Sequence, residues 1–141
     1  MKIKLLSDKA KVPVKSNPGD AGFDLYSPMD FSILPGEQKL IKLGIQITDF
    51  PPGTYGRIAP RSGLGVKGVQ ILAGVIDSGY QGEVGVILYV NPSAPILNVN
   101  EGDRIAQLII EKYEPDVSFE IVDTFDHVTE RGSGGFGSTG I

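Results

Sequence analysis

Five short islands in this chain combine glycine with a side chain able to do chemistry. They are DAGFDLYS (20–27), PRSGLG (60–65), GVIDSGYQGEVGV (74–86), GDRIAQLI (102–109) and RGSGGFGSTG (131–140). The third holds an isolated carboxylate, Asp77, after apolar Val75 and Ile76 and before a Ser78-Gly79 tip. Such an acid can orient and deprotonate a water, or it can simply close an Asx turn. The second sets Arg61 and Ser62 where a helical turn is predicted to begin. A guanidinium, a hydroxyl and free N–H groups there suit an anion, although a plain Ser62 N-cap beside a surface arginine has the same sequence. In the first island Asp20 and Asp24 stand four residues apart in a predicted extended segment. An even step puts them on one side, unless both are solvated turn residues. In the fourth, Gln107 stands among Ile105, Leu108 and Ile109 and needs a partner, which can be backbone or ligand. The fifth is half glycine and cannot build a core, yet it carries Arg131, Phe136 and three hydroxyls (Ser133, Ser138, Thr139). It reads either as an arm that closes over a polyanion and a flat ring, or as a Gly/Ser tail.

The islands need a scaffold, and composition limits it. A chain of 141 residues is expected to form one domain, burying about two-thirds of its unfolded surface. Its 19 glycines and 10 prolines predict many turns and few long helices. The apolar runs are short. Residues 39–48 alternate, with Ile41, Leu43, Ile45 and Ile47 on one face of a half-buried strand. Ile3 to Leu6 and residues 54–59, 69–72, 84–90, 105–113 and 117–122 are further predicted strands. The third island reads as a β-hairpin with Gly74 and Gly85 on its two arms. Only residues 62–67 suit a helical turn. Short strands at even spacing predict an all-β antiparallel sandwich or jelly roll. Residues 84–90 are apolar on both faces, as a central core strand or a subunit interface would be. The expected division is a body over 1–123, then a linker and glycine-rich arm over 124–141.

Several chemistries are excluded. There is no cysteine, so disulfides, zinc–thiolate sites and thiol nucleophiles are out. The lone histidine, His127, sits in a polar stretch and reads as a solvated loop residue. The net charge of −4 argues against a long nucleic acid as partner. No run is apolar and long enough to span a membrane. Met1 leads straight into KIKLL, so no signal or transit peptide is read, and an intracellular location (cytoplasm or nucleus) is expected. Gly63-Gly65-Gly68 and Gly132-Gly134-Gly137 match a dinucleotide fingerprint. Neither is followed by the helix that motif needs.

In this order and spacing, the five islands resemble the five motifs of the trimeric deoxyuridine triphosphatases (dUTPases). The likeness spans nearly the whole chain. It implies a jelly-roll-like homotrimer with a flexible C-terminal arm, in which three chains share each active site. It implies hydrolysis of dUTP to dUMP and pyrophosphate with Mg2+, which keeps dUTP low and supplies dUMP for dTTP synthesis. By this resemblance Asp77 activates the water that attacks the α-phosphorus. Arg61 and Ser62 contact the triphosphate, with Gly63 and Leu64 close by. Gly74, Val75, Ile76 and Gly85 belong to the substrate pocket, the glycines letting backbone groups reach a pyrimidine edge. Tyr80 packs under the deoxyribose and leaves no room for a 2′-hydroxyl. Gln107 reaches the α-phosphate and the water. Arg131 meets the γ-phosphate, Phe136 stacks on uracil, and Gly137, Ser138 and Thr139 close over the phosphates. Asp24 holds the metal through its waters. The competing readings are a relative of the dCTP deaminases and a non-catalytic trimer that senses nucleotide or binds protein.

Overall fold

A computed structural model describes residues 1–135 of the chain. Eleven strands and one helical turn follow in order among them: β1 (Lys2–Leu5), β2 (Gly22–Tyr26), β3 (Phe31–Ile33), β4 (Gln38–Lys42), β5 (Ile45–Thr48), β6 (Thr54–Ala59), α1 (Ser62–Gly65), β7 (Val69–Leu72), β8 (Val75–Ile76), β9 (Gly85–Val90), β10 (Leu97–Val99) and β11 (Arg104–Lys112). All pairings are antiparallel, as the even spacing of turns predicts. A four-stranded sheet runs β2-β11-β6-β8 and a three-stranded one runs β4-β9-β7. Two pairs, β1-β5 and β10-β3, complete the sandwich.

The inner faces share one core. Ile41, Leu43, Ile45 and Ile47 are all buried, as their alternation predicts. Val86, Leu88 and Val90 of β9 are fully enclosed, so β9 is the central strand of its sheet. Its other face, Ile87 and Tyr89, is half-buried.

Four expectations are corrected. Residues 39–48 are not one strand but β4 and β5, in different sheets. Gly44 separates them at a φ of 69°. A Cβ there would stand 3.0 Å from the Ala10 Cβ. Residues 117–122 form no strand. No other strand of the described chain pairs with them, and Phe119 and Ile121 are both 97% exposed. Residues 74–86 are not a paired hairpin: β8 pairs with β6, whereas β9 pairs with β4 and β7. Finally, the N-cap of α1 is Arg61, not Ser62, and no side chain caps it. The strands β3 and β10 match no predicted segment, because each carries only three residues between turns.

Candidate active site

The predicted residues fall into two cavities of different make. The larger, about 570 Å3, opens at the end of the four-stranded sheet. Register sets its walls. Gln107 of β11 lies between Asp24 of β2 and Ala59 of β6, so the loop after β6 brings Arg61, Ser62 and Gly63 to the same rim. Asp24 is buried, which a carboxylate tolerates only with partners. It has three. Arg61 Nε lies 3.1 Å from Oδ1, and Arg104 lies 3.2 Å from Oδ2. The Ser16 hydroxyl donates to Oδ2 at 3.0 Å. Arg104 therefore has a structural task here, and Ser16 joins the site unannounced by any motif. Asp20 lines the same cavity, but in a turn in which its carboxylate accepts the Asn17 N–H at 2.9 Å, not in an extended segment.

The Gln107 amide donates to the Pro60 carbonyl at 2.9 Å. That bond leaves the side-chain oxygen free to accept. Gly22 makes the posture possible: a Cβ on it would stand 2.2 Å from Gln107 Oε1. A glycine at the start of a strand was the available signal.

The second cavity, about 230 Å3, lies in the seam between β8 and β9. Gly74, Val75, Ile76, Asp77, Tyr80 and Gly85 all border it. Apolar side chains, Leu40, Ile58, Leu72, Val84 and Ile87 among them, line it beside the two glycines. Gly74 has a φ of 110°, open only to glycine, and its carbonyl accepts the Ile58 N–H at 2.7 Å. Ala73 beside it also has a positive φ, 58°, so the entry to this seam is strained backbone. A Cβ on Gly85 would press the Leu40 side chain at 2.8 Å.

Asp77 sits on the rim and is exposed. Its main-chain carbonyl, not its side chain, closes the turn by accepting the Tyr80 N–H at 2.9 Å. Among the described residues its carboxylate accepts no hydrogen bond, so it is not spent on an Asx turn. Asp77 also borders a third cavity with Tyr55, Val75, Ser78 and Tyr113. Beside that cavity the Tyr55 hydroxyl donates to Glu111 at 2.6 Å and Arg57 pairs with the same carboxylate at 2.7 Å. The Tyr55 bond, then the Arg57 bond, hold the Glu111 carboxyl below its ordinary range.

Leu64 borders neither of the first two cavities and packs on the core. Arg131 is exposed and donates to the Gly134 carbonyl at 3.0 Å. Phe136, Gly137, Ser138 and Thr139 lie outside the described residues. The described chain thus brings Asp24, Arg61, Ser62, Gly63 and Gln107 together in one place and the Asp77 group in another.

A family model described as dUTPase matches residues 8–140. The chain belongs to the dUTPase family. Its enzymatic class is that of the deoxyuridine 5′-triphosphate nucleotidohydrolases, the name carried by its curated relatives. The one from Cowpox virus is 52% identical over 136 residues, covering 96% of this chain and 89% of the relative. The one from Variola virus is 50% identical over the same shares. Among solved structures, the dUTPase of Staphylococcus bacteriophage 80alpha with dUPNHPP superposes with a TM-score of 0.86. It is 30% identical, over 99% of this chain and 98% of that one. A dUTPase mutant from phage phi11 of S. aureus, described as revealing the coordination of a structural Mg(II) ion, has a TM-score of 0.78 at 26% identity, over 89% and 98% of the two chains.

Proposed function

We propose that this dUTPase hydrolyses dUTP to dUMP and pyrophosphate within a homotrimer, with Asp77 as the base. The observation that carries this is the Asp77 carboxylate, which accepts no hydrogen bond among the described residues, on the rim of a pocket that Gly74 and Gly85 open to main chain. Fixed N–H and C=O groups can match a pyrimidine edge and reject one with the wrong donor pattern. Tyr80 forms the sugar wall. Arg61, Ser62 and Gln107 belong to the phosphates. Asp77 takes a proton from a water and aims its oxygen at the α-phosphorus, in line with the departing pyrophosphate. No covalent intermediate is required. The cellular consequence is a low dUTP level and a supply of dUMP.

Sharing of the site among copies has two supports. The phosphate-side and base-side residues border separate cavities of one chain. The segment after β11 carries apolar side chains without cover, Val117, Phe119, Ile121, Phe125 and Val128. A second and a third copy would provide both the missing half-site and the missing cover. The arm, with Arg131, Phe136, Gly137, Ser138 and Thr139, would close over a neighbour's nucleotide.

The residues suit Mg2+ in one manner. Among those described, no three His, Cys, Asp or Glu side chains cluster to cage a metal, and both Asp24 oxygens already meet guanidinium groups. That donor set fits a cation that keeps its water and takes phosphate oxygens, with Asp24 meeting it through water. When bound, the cation would neutralise charge along the phosphate chain.

Pyrophosphate release with Mg2+ from dUTP, UTP, dTTP and dCTP tests the reading. Turnover of dUTP far above the others is expected. No release from dUTP, or ammonia lost from dCTP, would refute it.

A further inference from the structure

Tyr80 is 44% exposed and belongs to a loop, so packing alone does not fix its ring. Three contacts do. Its hydroxyl donates to the Glu83 main-chain carbonyl at 3.1 Å. The ring folds back over Gly82, where any Cβ would stand 2.3 Å from the phenol oxygen and 2.4 Å from the ring carbon bearing it. The loop itself is then tied to the body at its far end. The Glu83 carboxylate accepts the Gly44 N–H at 2.9 Å.

That last bond joins two special positions. Gly44 is buried and turns the chain between β4 and β5 at a positive φ. The neighbouring main-chain groups are already engaged: Leu43 N–H meets the Val84 carbonyl at 3.0 Å, and Val84 N–H meets the Ile45 carbonyl at 2.8 Å. The Gly44 N–H would be left without a partner if Glu83 were removed, an unfavourable state for a buried donor. A second tie runs from the Gln46 amide to the Gln81 carbonyl at 2.8 Å. The loop from Tyr80 to Glu83 is thus held at two points, at Gly44 in the β4–β5 break and at Gln46 in β5.

We propose that Glu83 is a positioning residue for sugar selection: by holding Gly44 it fixes the carbonyl that holds Tyr80, and so sets how closely the ring approaches the nucleotide. The inference rests on the reading that this pocket takes deoxyuridine. A ring held firmly excludes a 2′-hydroxyl by contact, whereas a ring free to rotate makes room for it. Glu83 need not touch the nucleotide for this, because its oxygen Oε1 is committed to Gly44. A neutral side chain with the same acceptor serves equally, so the proposal predicts rescue by glutamine and not by alanine.

The test compares wild type, Glu83→Ala and Glu83→Gln, each as the full chain with Mg2+, for kcat/KM on dUTP and on UTP. The ratio of the two constants is expected to fall about tenfold in Glu83→Ala and to stay near wild type in Glu83→Gln. Amide exchange at Gly44 should quicken in the alanine variant and not in the glutamine variant. A faster Gly44 amide with an unchanged dUTP:UTP ratio overturns the proposal. So does an equal loss of ratio in both variants. Should Glu83→Ala fail to fold, Gln46→Ala removes only the second tie, and the ratio must then fall by a smaller factor. An unchanged ratio in that variant again overturns the proposal. A wild type inert towards dUTP would sink the parent reading, and this one with it. A wild type that discriminates, beside an alanine variant that discriminates equally, sinks this one alone.

Discussion

The two main cavities solve recognition in opposite ways. At the end of the four-stranded sheet the lining carries Asp20, Asp24 and Arg61, and the Asp24 charge is already matched. Asp24 is gripped by Arg61 and Arg104. In the seam between β8 and β9 the lining is mostly apolar, and Gly74 and Gly85 bare main chain where a side chain would intrude. A guanidinium can re-pair with phosphates of varied geometry. A set of fixed main-chain groups cannot adapt, so it discriminates. The contrast suits a ligand whose phosphate tail is common to all nucleotides and whose base is not.

The contrast can be broken at several points. The largest effect is expected at Asp77, on the rim of the second cavity. Asp77→Asn should reduce pyrophosphate release about 10²- to 10⁴-fold while nucleotide binding by calorimetry persists; equal turnover would remove Asp77 from its role. Deleting residues 131–141 should leave assembly intact by light scattering and reduce turnover about a hundredfold. Full activity in that truncation would detach the arm from both cavities. On the backbone side, Gly74→Ala meets the Ile58 carbonyl oxygen at 2.7 Å and a φ of 110°. It should lower stability by about 1–3 kcal/mol in a urea titration. Gly85→Ala crowds the tip of Leu40, its other neighbours standing at 3.6 Å, and should cost less stability, yet still weaken dUTP binding. Gly63→Ala, on the side-chain cavity, has nothing within 4 Å and should be close to neutral in stability. If the alanines at 63 and 74 were equally tolerated, the distinction between the cavities would fail.

The smallest effect concerns the Glu111 carboxyl beside the third cavity. Tyr55 first, then Arg57, keep it below its ordinary value of 4.5. A depressed folded value means the unfolded chain takes up the proton first as pH falls. The associated stability is present above pH 4.5 and drains away as pH falls through the folded value. The melting temperature of wild type should therefore decline more steeply with acid than that of Glu111→Gln. Parallel declines would show that this pair is silent.

The sequence disclosed the two cavities unequally. Charged and amide side chains announce themselves inside apolar or glycine-rich runs, so Arg61, Asp24 and Gln107 were legible from type and spacing. The glycines were legible as openings, but not as seams between sheets. The hairpin expected over residues 74–86 failed because local turn chemistry at Ser78-Gly79 says nothing about which sheet each end will join. Similarly, residues 117–122 alternate as a strand should, yet strand formation depends on a neighbour, which the described chain does not supply. Ser16 stands in no island, and Glu83 stands in one without a sign of its task, since each acts through hydrogen bonds whose partners the local sequence does not name. Their tasks could be read only from coordinates.

The run from Gln38 to Thr48 serves two sheets, with Gly44 as the joint between its halves. Its first half is laced to the central strand of one layer, and its second half to the N-terminal ribbon. The ribbon therefore cannot peel from the three-stranded sheet without straining this joint. Heat or denaturant should melt the molecule as one unit, and a cut in the peptide chain at this joint would do more harm than a cut in any exposed turn.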